Sequence, residues 1–205
     1  MTHTDLLQAP YAKYLGLEEL FDLQGDIDRL NHPEEFQFRT VHLISELWLR
    51  LVSTEMERAA VALGAGDWLL AARLLHRCNA TLNLLVTQLG LLETMLVADY
   101  DSFRAALGDA SGLQSPGYLA IRRGALPLAE AFNAAAARPD QPDLSELREL
   151  LLSLDMGVQR FLMGHWQIAR RFIGDGGAGT GGRGVDYLRG GVERSLFPAL
   201  WSKAD

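Results

Sequence analysis

The chain has 205 residues and a mass of 22.6 kDa, enough for one domain with a closed hydrophobic core. Hydrophobic residues make up 48% and charged residues 22%, which excludes a disordered or collagen-like chain. Nineteen basic against 26 acidic side chains leave a formal charge of -7, the wrong sign for gripping nucleic acid or an anionic membrane surface.

Cys78 is the single cysteine, so neither an internal disulfide nor a cysteine-cluster metal site can form. The first ten residues lack the basic-then-apolar order of a signal peptide. The longest charge-free stretch, Cys78 to Leu92, is fifteen residues, short of the roughly 20 that span a bilayer. These features predict a soluble, cytoplasmic protein with neither nucleic acid nor membrane among its partners.

In chain order, the first long predicted helix covers Phe36 to Leu63, where Phe38, Val41, Ile44, Leu47, Trp48, Leu51, Val52 and Met56 recur every three or four positions. Gly64 to Gly66 breaks it, and Asp67 can cap a second helix reaching Met95. Gly108 to Gly117 is a loop by composition, a shorter helix covers Tyr118 to Ala137, and Arg138 to Pro142 makes the next break. Asp143 or Ser145 then caps a helix with apolar residues at Leu147, Leu151, Leu154, Val158, Phe161, Ile168 and Phe172, ending at Gly174. Gly174 to Gly184 holds seven glycines in eleven residues, a candidate lid, and Val185 to Trp201 returns to apolar spacing. With no strand alternation and no repeat, the expected fold is all-α, a bundle of long antiparallel helices forming a single domain over 1–205.

Two histidines interrupt apolar helical faces. His42 lies one turn after Phe38, and His165 lies between Phe161 and Ile168. A buried histidine satisfied by one hydrogen bond is the plainer reading of either position. A neutral imidazole on an apolar face is also what a heme iron takes as its axial ligand, and Gly164 beside His165 would leave space for a flat macrocycle.

Other patterns carry less. Gly179 to Gly184 satisfies G-x-G-x-x-G literally but follows a helix, where a dinucleotide site needs a strand, and no lysine follows for a P-loop. Glu46, Glu55, Glu57, Glu93 and Asp99 could line a carboxylate metal site, yet no Glu-x-x-His pair exists to build one. No Gly-x-Ser-x-Gly elbow is present, and Cys78 reads as a buried, inert thiol.

Several blocks stand in a telling order. They are Tyr11-Ala12-Lys13-Tyr14-Leu15, the run F-R-T-V-H-L-I-S-E-L-W from Phe38 to Trp48, Leu92-Glu93-Thr94-Met95, and Phe103-Arg104. Ala110-Ser111-Gly112-Leu113-Gln114-Ser115, Gly179-Thr180-Gly181-Gly182 and Tyr187-Leu188-Arg189 complete the set. In these blocks the chain resembles the heme-dependent tryptophan 2,3-dioxygenases, and the blocks span most of its length.

The resemblance implies heme b as cofactor and an aromatic indole plus O2 as substrates. It implies that His165 is the proximal ligand of the heme iron and that His42 is the distal histidine taking the indole N–H. It further implies that Phe38 lines the substrate pocket and that Thr180, on the glycine-rich lid 174–184, contacts the substrate ammonium. Tyr11 and Tyr14, in an N-terminal segment 1–20, would reach a neighbouring subunit's site, so a homo-oligomer, tetramer or dimer, is implied.

Two positions depart from the family pattern. Leu119 stands where the family carries an arginine for the substrate carboxylate, with Arg122, Arg123 and Arg183 as the nearby cations. Leu113 replaces a phenylalanine, and the connection from Ser115 to His165 is short for the family. The leading expectation is a dioxygenase adding O2 across the indole 2,3-bond of tryptophan or a derivative. Leu119 keeps open a heme-dependent monooxygenase or peroxygenase acting on a modified aromatic amino acid, and a non-catalytic heme sensor or carrier is the third reading.

Overall fold

Two helices of the N-terminal half set the frame, and glycine with aspartate makes the turn between them. The computed structural model describes residues 7–139, 141–175, 177 and 186–202. Short helices α1, Pro10–Leu15, and α2, Leu17–Asp22, meet at Gly16, whose φ of 63° suits glycine. Helix α3, Glu34–Ala65, ends at Gly66 with φ 77°, the left-handed stop that glycine permits. Asp67 then accepts the Leu70 N–H at 3.0 Å and caps α4, Trp68–Gln88.

The predicted continuation to Met95 is divided. Past Leu89 the chain forms a separate turn, α5, Gly90–Glu93, and then α6, Val97–Phe103. Helix α7, Pro116–Ala136, starts two residues before Tyr118 because Ser115 accepts the Tyr118 N–H and Pro116 fits the first helical position. Helix α8, Ser145–Ile173, follows Asp143, whose carboxylate accepts the Ser145 N–H at 2.9 Å. The closing segment is α9, Asp186–Val192, and a 3-10 turn at Pro198–Trp201 rather than one helix. No strand occurs among the described residues, and the fold is all-α.

Successive long helices alternate in direction, as the bundle expectation requires, but several neighbours in space run parallel. Helices α3 and α4 are antiparallel: Gln88 reaches Val41 and Ser45, while Arg77 and Cys78 meet Glu55 and Val52. Helix α7 lies parallel to α3, with Gly117 against Leu49, Gly124 against Met56 and Arg138 against Gly66. Helix α8 lies parallel to α4 through Glu146 with His76, Leu150 with Asn79, Gly157 with Leu82 and Gly164 with Leu89. Parallel neighbours need long crossovers, and residues 89–115 supply one across the end of the bundle.

Close approach depends on missing side chains. A Cβ on Gly117 would lie 2.5 Å from Leu49 Cβ, and one on Gly157 would lie 2.9 Å from Leu82 Cδ1. The core is one continuous cluster drawn from all four long helices, including Val52, Met56, Leu75, Ile121, Leu128 and Leu154. Buried Glu55 is held by Arg58 and Arg77 at 2.8 Å each, so its charge is paired. Cys78 is buried, and desolvation pushes its thiol up to about 12, which keeps it inert.

Candidate active site

The alternation of helix directions gathers the start of α3, the end of α4, the start of α7 and the end of α8 at the end covered by residues 89–115. His42 projects from α3 and His165 from α8, and their ring centroids are 6.4 Å apart at 77°. The sequence places them 123 positions apart, and the fold makes them neighbours.

His42 has a fixed tautomer. Its Nδ1 lies 2.7 Å from the Phe38 carbonyl, which can only accept, so Nδ1 carries the proton and Nε2 is left with a lone pair. Desolvation lowers the pKa of this imidazole, against smaller upward pulls from the Phe38 carbonyl and Glu46. Phe38 lies against the ring at 4.1 Å between centroids.

His165 has no such bond. Among the described residues neither of its ring nitrogens has a hydrogen-bond partner, and burial, followed by the neighbouring His42, pushes its pKa down to about 4. The plainer expectation, a core histidine satisfied by one hydrogen bond, holds for His42 and not for His165. A neutral imidazole with a free lone pair suits a metal. Among the described residues no three His, Cys, Asp or Glu side chains converge as a metal site, so a metal at His165 needs a cofactor that brings further ligands. A porphyrin does so, and these residues fit one.

At Gly164 a Cβ would meet Leu89 Cδ1 at 3.0 Å, so this glycine admits Leu89 at the end of α4. Gly112 is the glycine at the imidazole, since its Cβ would lie 2.7 Å from His165 Cε1. The A-S-G block supplied that residue without a role.

An aromatic wall surrounds the pair. Phe38 packs on Tyr100 at 6.0 Å and on Phe103 at 5.5 Å, Tyr100 stacks on Phe172 at 4.7 Å, and Phe161 lies 6.4 Å from His165. Of Tyr100, Phe103 and Phe172, the sequence marked Phe103 only as part of the Phe103-Arg104 block and Phe172 only as part of an apolar stripe, and none was given a place at the site. Phe172 could be read only as one more core position of α8, and the two on α6 carried no periodic signal.

Tyr11 and Tyr14 are 71% and 88% exposed on α1 and join no part of this site within the chain. Thr180 and most of the 174–184 stretch, with Arg183, lie outside the described residues. Leu119 is 43% exposed near the start of α7. Arg122 is committed elsewhere, donating to the Arg194 carbonyl at 2.8 Å, and Arg123 is exposed.

The tryptophan 2,3-dioxygenase family model matches residues 2–124, more than half of the chain. The chain belongs to the tryptophan 2,3-dioxygenase family. It is therefore an oxygenase of the dioxygenase class, with heme as its cofactor. A tryptophan 2,3-dioxygenase of Caulobacter vibrioides is 28% identical over 255 positions that take in 94% of this chain and 96% of the relative. One from Geobacillus thermodenitrificans is 26% identical, with 98% and 93% covered. One from Kineococcus radiotolerans reaches 34% over 141 residues, covering 69% of this chain and 49% of its own.

Because 94% of 205 residues spread over 255 aligned positions, about 60 positions of the Caulobacter relative have no counterpart here. The family model stops at Gly124, ahead of His165. No single helix among the described residues is long and apolar enough to cross a membrane.

Proposed function

We propose that His165 would hold a heme iron and that the site adds both atoms of O2 across the indole 2,3-bond of tryptophan or a tryptophan-derived substrate. The observation that carries this reading is a neutral imidazole without a hydrogen-bond partner, 6.4 Å from a second imidazole of fixed tautomer. When bound, the cofactor supplies the activation of O2. The chain supplies the rest. His42 Nε2 accepts the indole N–H, because its Nδ1–H is already given to the Phe38 carbonyl. Phe38 packs against the substrate ring, and the wall of Phe103 and Tyr100 behind it keeps water from the reacting carbons.

Thr180 takes the substrate ammonium, with the 174–184 stretch as lid. Tyr11 and Tyr14 reach a neighbouring subunit's site, which their exposure allows, so the working unit is a homo-oligomer of tetramer or dimer size. Residues 1–205 act as one domain. The protein works in the cytoplasm, where a single buried thiol stays reduced, and its partners are small molecules and its own copies.

Leu119 favours a tryptophan derivative whose carboxylate is masked. An exposed leucine gives a carboxylate no partner, and the adjacent Arg122 is held by the C-terminal segment. Incubation of the ferrous heme protein with 18O2 and L-tryptophan, its amide or its methyl ester, followed by mass spectrometry, tests the reaction. The expected product carries two labelled oxygens, with the amide or ester turned over faster than the free acid. A product with one labelled oxygen would assign the chain to monooxygenation, and heme binding without any turnover would leave a sensor or carrier.

A further inference from the structure

The residue after His165 carries a donor that nothing among the described residues satisfies. Trp166 Nε1 is buried and has no hydrogen-bond partner, whereas most buried donors find one. Over the face of that indole, 4.7 Å from its centroid, lies the guanidinium of Arg170, one helical turn further along α8. Arg170 is also paired with the exposed carboxylate of Asp175. An orphaned N–H, which needs an acceptor, and a cation therefore sit together on α8, starting one residue after the histidine assigned to the iron, and an anionic acceptor would suit both.

Resting on the heme reading of the previous subsection, we propose that Trp166 Nε1 donates a hydrogen bond to a carboxylate on the porphyrin rim, with Arg170 supplying the positive field. With the iron held by His165, a second contact at the ring's edge would fix how the macrocycle is turned in the site. Trp166 thereby acts as a positioning residue for the cofactor, and it replaces a costly unsatisfied donor with a charge-assisted bond.

The test is titration of the heme-free protein with hemin and, separately, with hemin dimethyl ester, which lacks free carboxylates, followed by Soret absorbance. Trp166→Phe keeps an aromatic ring and removes the N–H together with the pyrrole ring, and the ester titration separates loss of the N–H from loss of bulk. The expected result is about a tenfold weaker affinity for hemin and an unchanged affinity for the ester, the difference that one hydrogen bond to a charged group makes. Arg170→Gln should weaken hemin binding in the same selective way. Equal loss for both porphyrins, or no loss for either, would overturn the assignment and show that Trp166 only packs. If wild-type protein binds neither porphyrin, the heme reading itself fails, and the two failures are thus told apart.

Discussion

Asp155 offers the sharpest quantitative test of how this fold is held. It is fully buried on α8, and its carboxylate accepts from Leu196 N at 2.9 Å, Trp201 Nε1 at 2.9 Å, Phe197 N and Gln159 Nε2 at 3.3 Å each, and the Ser195 hydroxyl. Four of these five donors belong to residues 195–201, so one carboxylate pins the C-terminal segment to the bundle. Replacing it by Asn keeps the volume but turns an NH2 toward donors that need an acceptor. Each bond to a charged group contributes about 1.5 to 3 kcal/mol, and breaking such a buried network directly costs about 3 to 5 kcal/mol.

The loss has a ceiling, because the segment can peel away and let its donors meet water. Peeling exposes Leu196 and Phe197, each about 2 kcal/mol of buried apolar surface, and is partly offset by regained chain entropy. We therefore predict that Asp155→Asn lowers global stability by about 2 to 4 kcal/mol in urea unfolding. Amide exchange at Leu196 and Phe197 should speed up more than at core amides such as Leu75. Unchanged protection at Leu196 and Phe197 in that variant would refute the reasoning.

Other consequences follow from single contacts. Because burial holds His165 near pH 4 against an ordinary value of 6.5, the unfolded chain takes up a proton that the folded chain refuses between those values. Stability of the heme-free protein should fall, by an amount on the order of 3 kcal/mol, as pH drops from 6.5 to 4, and His165→Phe should flatten that slope in thermal melts. Gly117→Ala puts a methyl 2.5 Å from Leu49 Cβ and should cost about 1 to 3 kcal/mol in denaturant titration; a neutral result would mean that α3 and α7 separate freely. His42→Phe should keep the heme spectrum and lose most indole turnover, and a variant as active as wild type would remove His42 from the chemistry. Leu119→Arg should tighten binding of free L-tryptophan relative to its amide, read by spectral titration.

The site was legible where a polar residue broke an apolar period. His42 and His165 stood out on α3 and α8 for that reason, and the fold brings them within 6.4 Å. The long helices were equally readable, the cap at Asp67 included, because periodicity and capping are local. What was not legible is nonlocal. Asp155 looks like one more polar residue on α8, and four of its five partners lie 40 or more positions onward. Gly112 and Gly164 look alike as glycines near a histidine block, yet only the packing of residues 89–115 over the bundle's end puts Gly112 on the imidazole and Leu89 on Gly164. The parallel pairing of α3 with α7 and of α4 with α8 depends on that same crossover, whose length shows in the sequence but whose path does not.

The most direct test of the whole account is the absorption spectrum of hemin-loaded protein compared with that of His165→Ala. The account predicts a Soret band and ferrous-state spectrum typical of one histidine ligand in the wild type, both lost or shifted to weakly held heme in the variant and restored by added imidazole. A variant whose spectrum and hemin affinity match those of the wild type would contradict it.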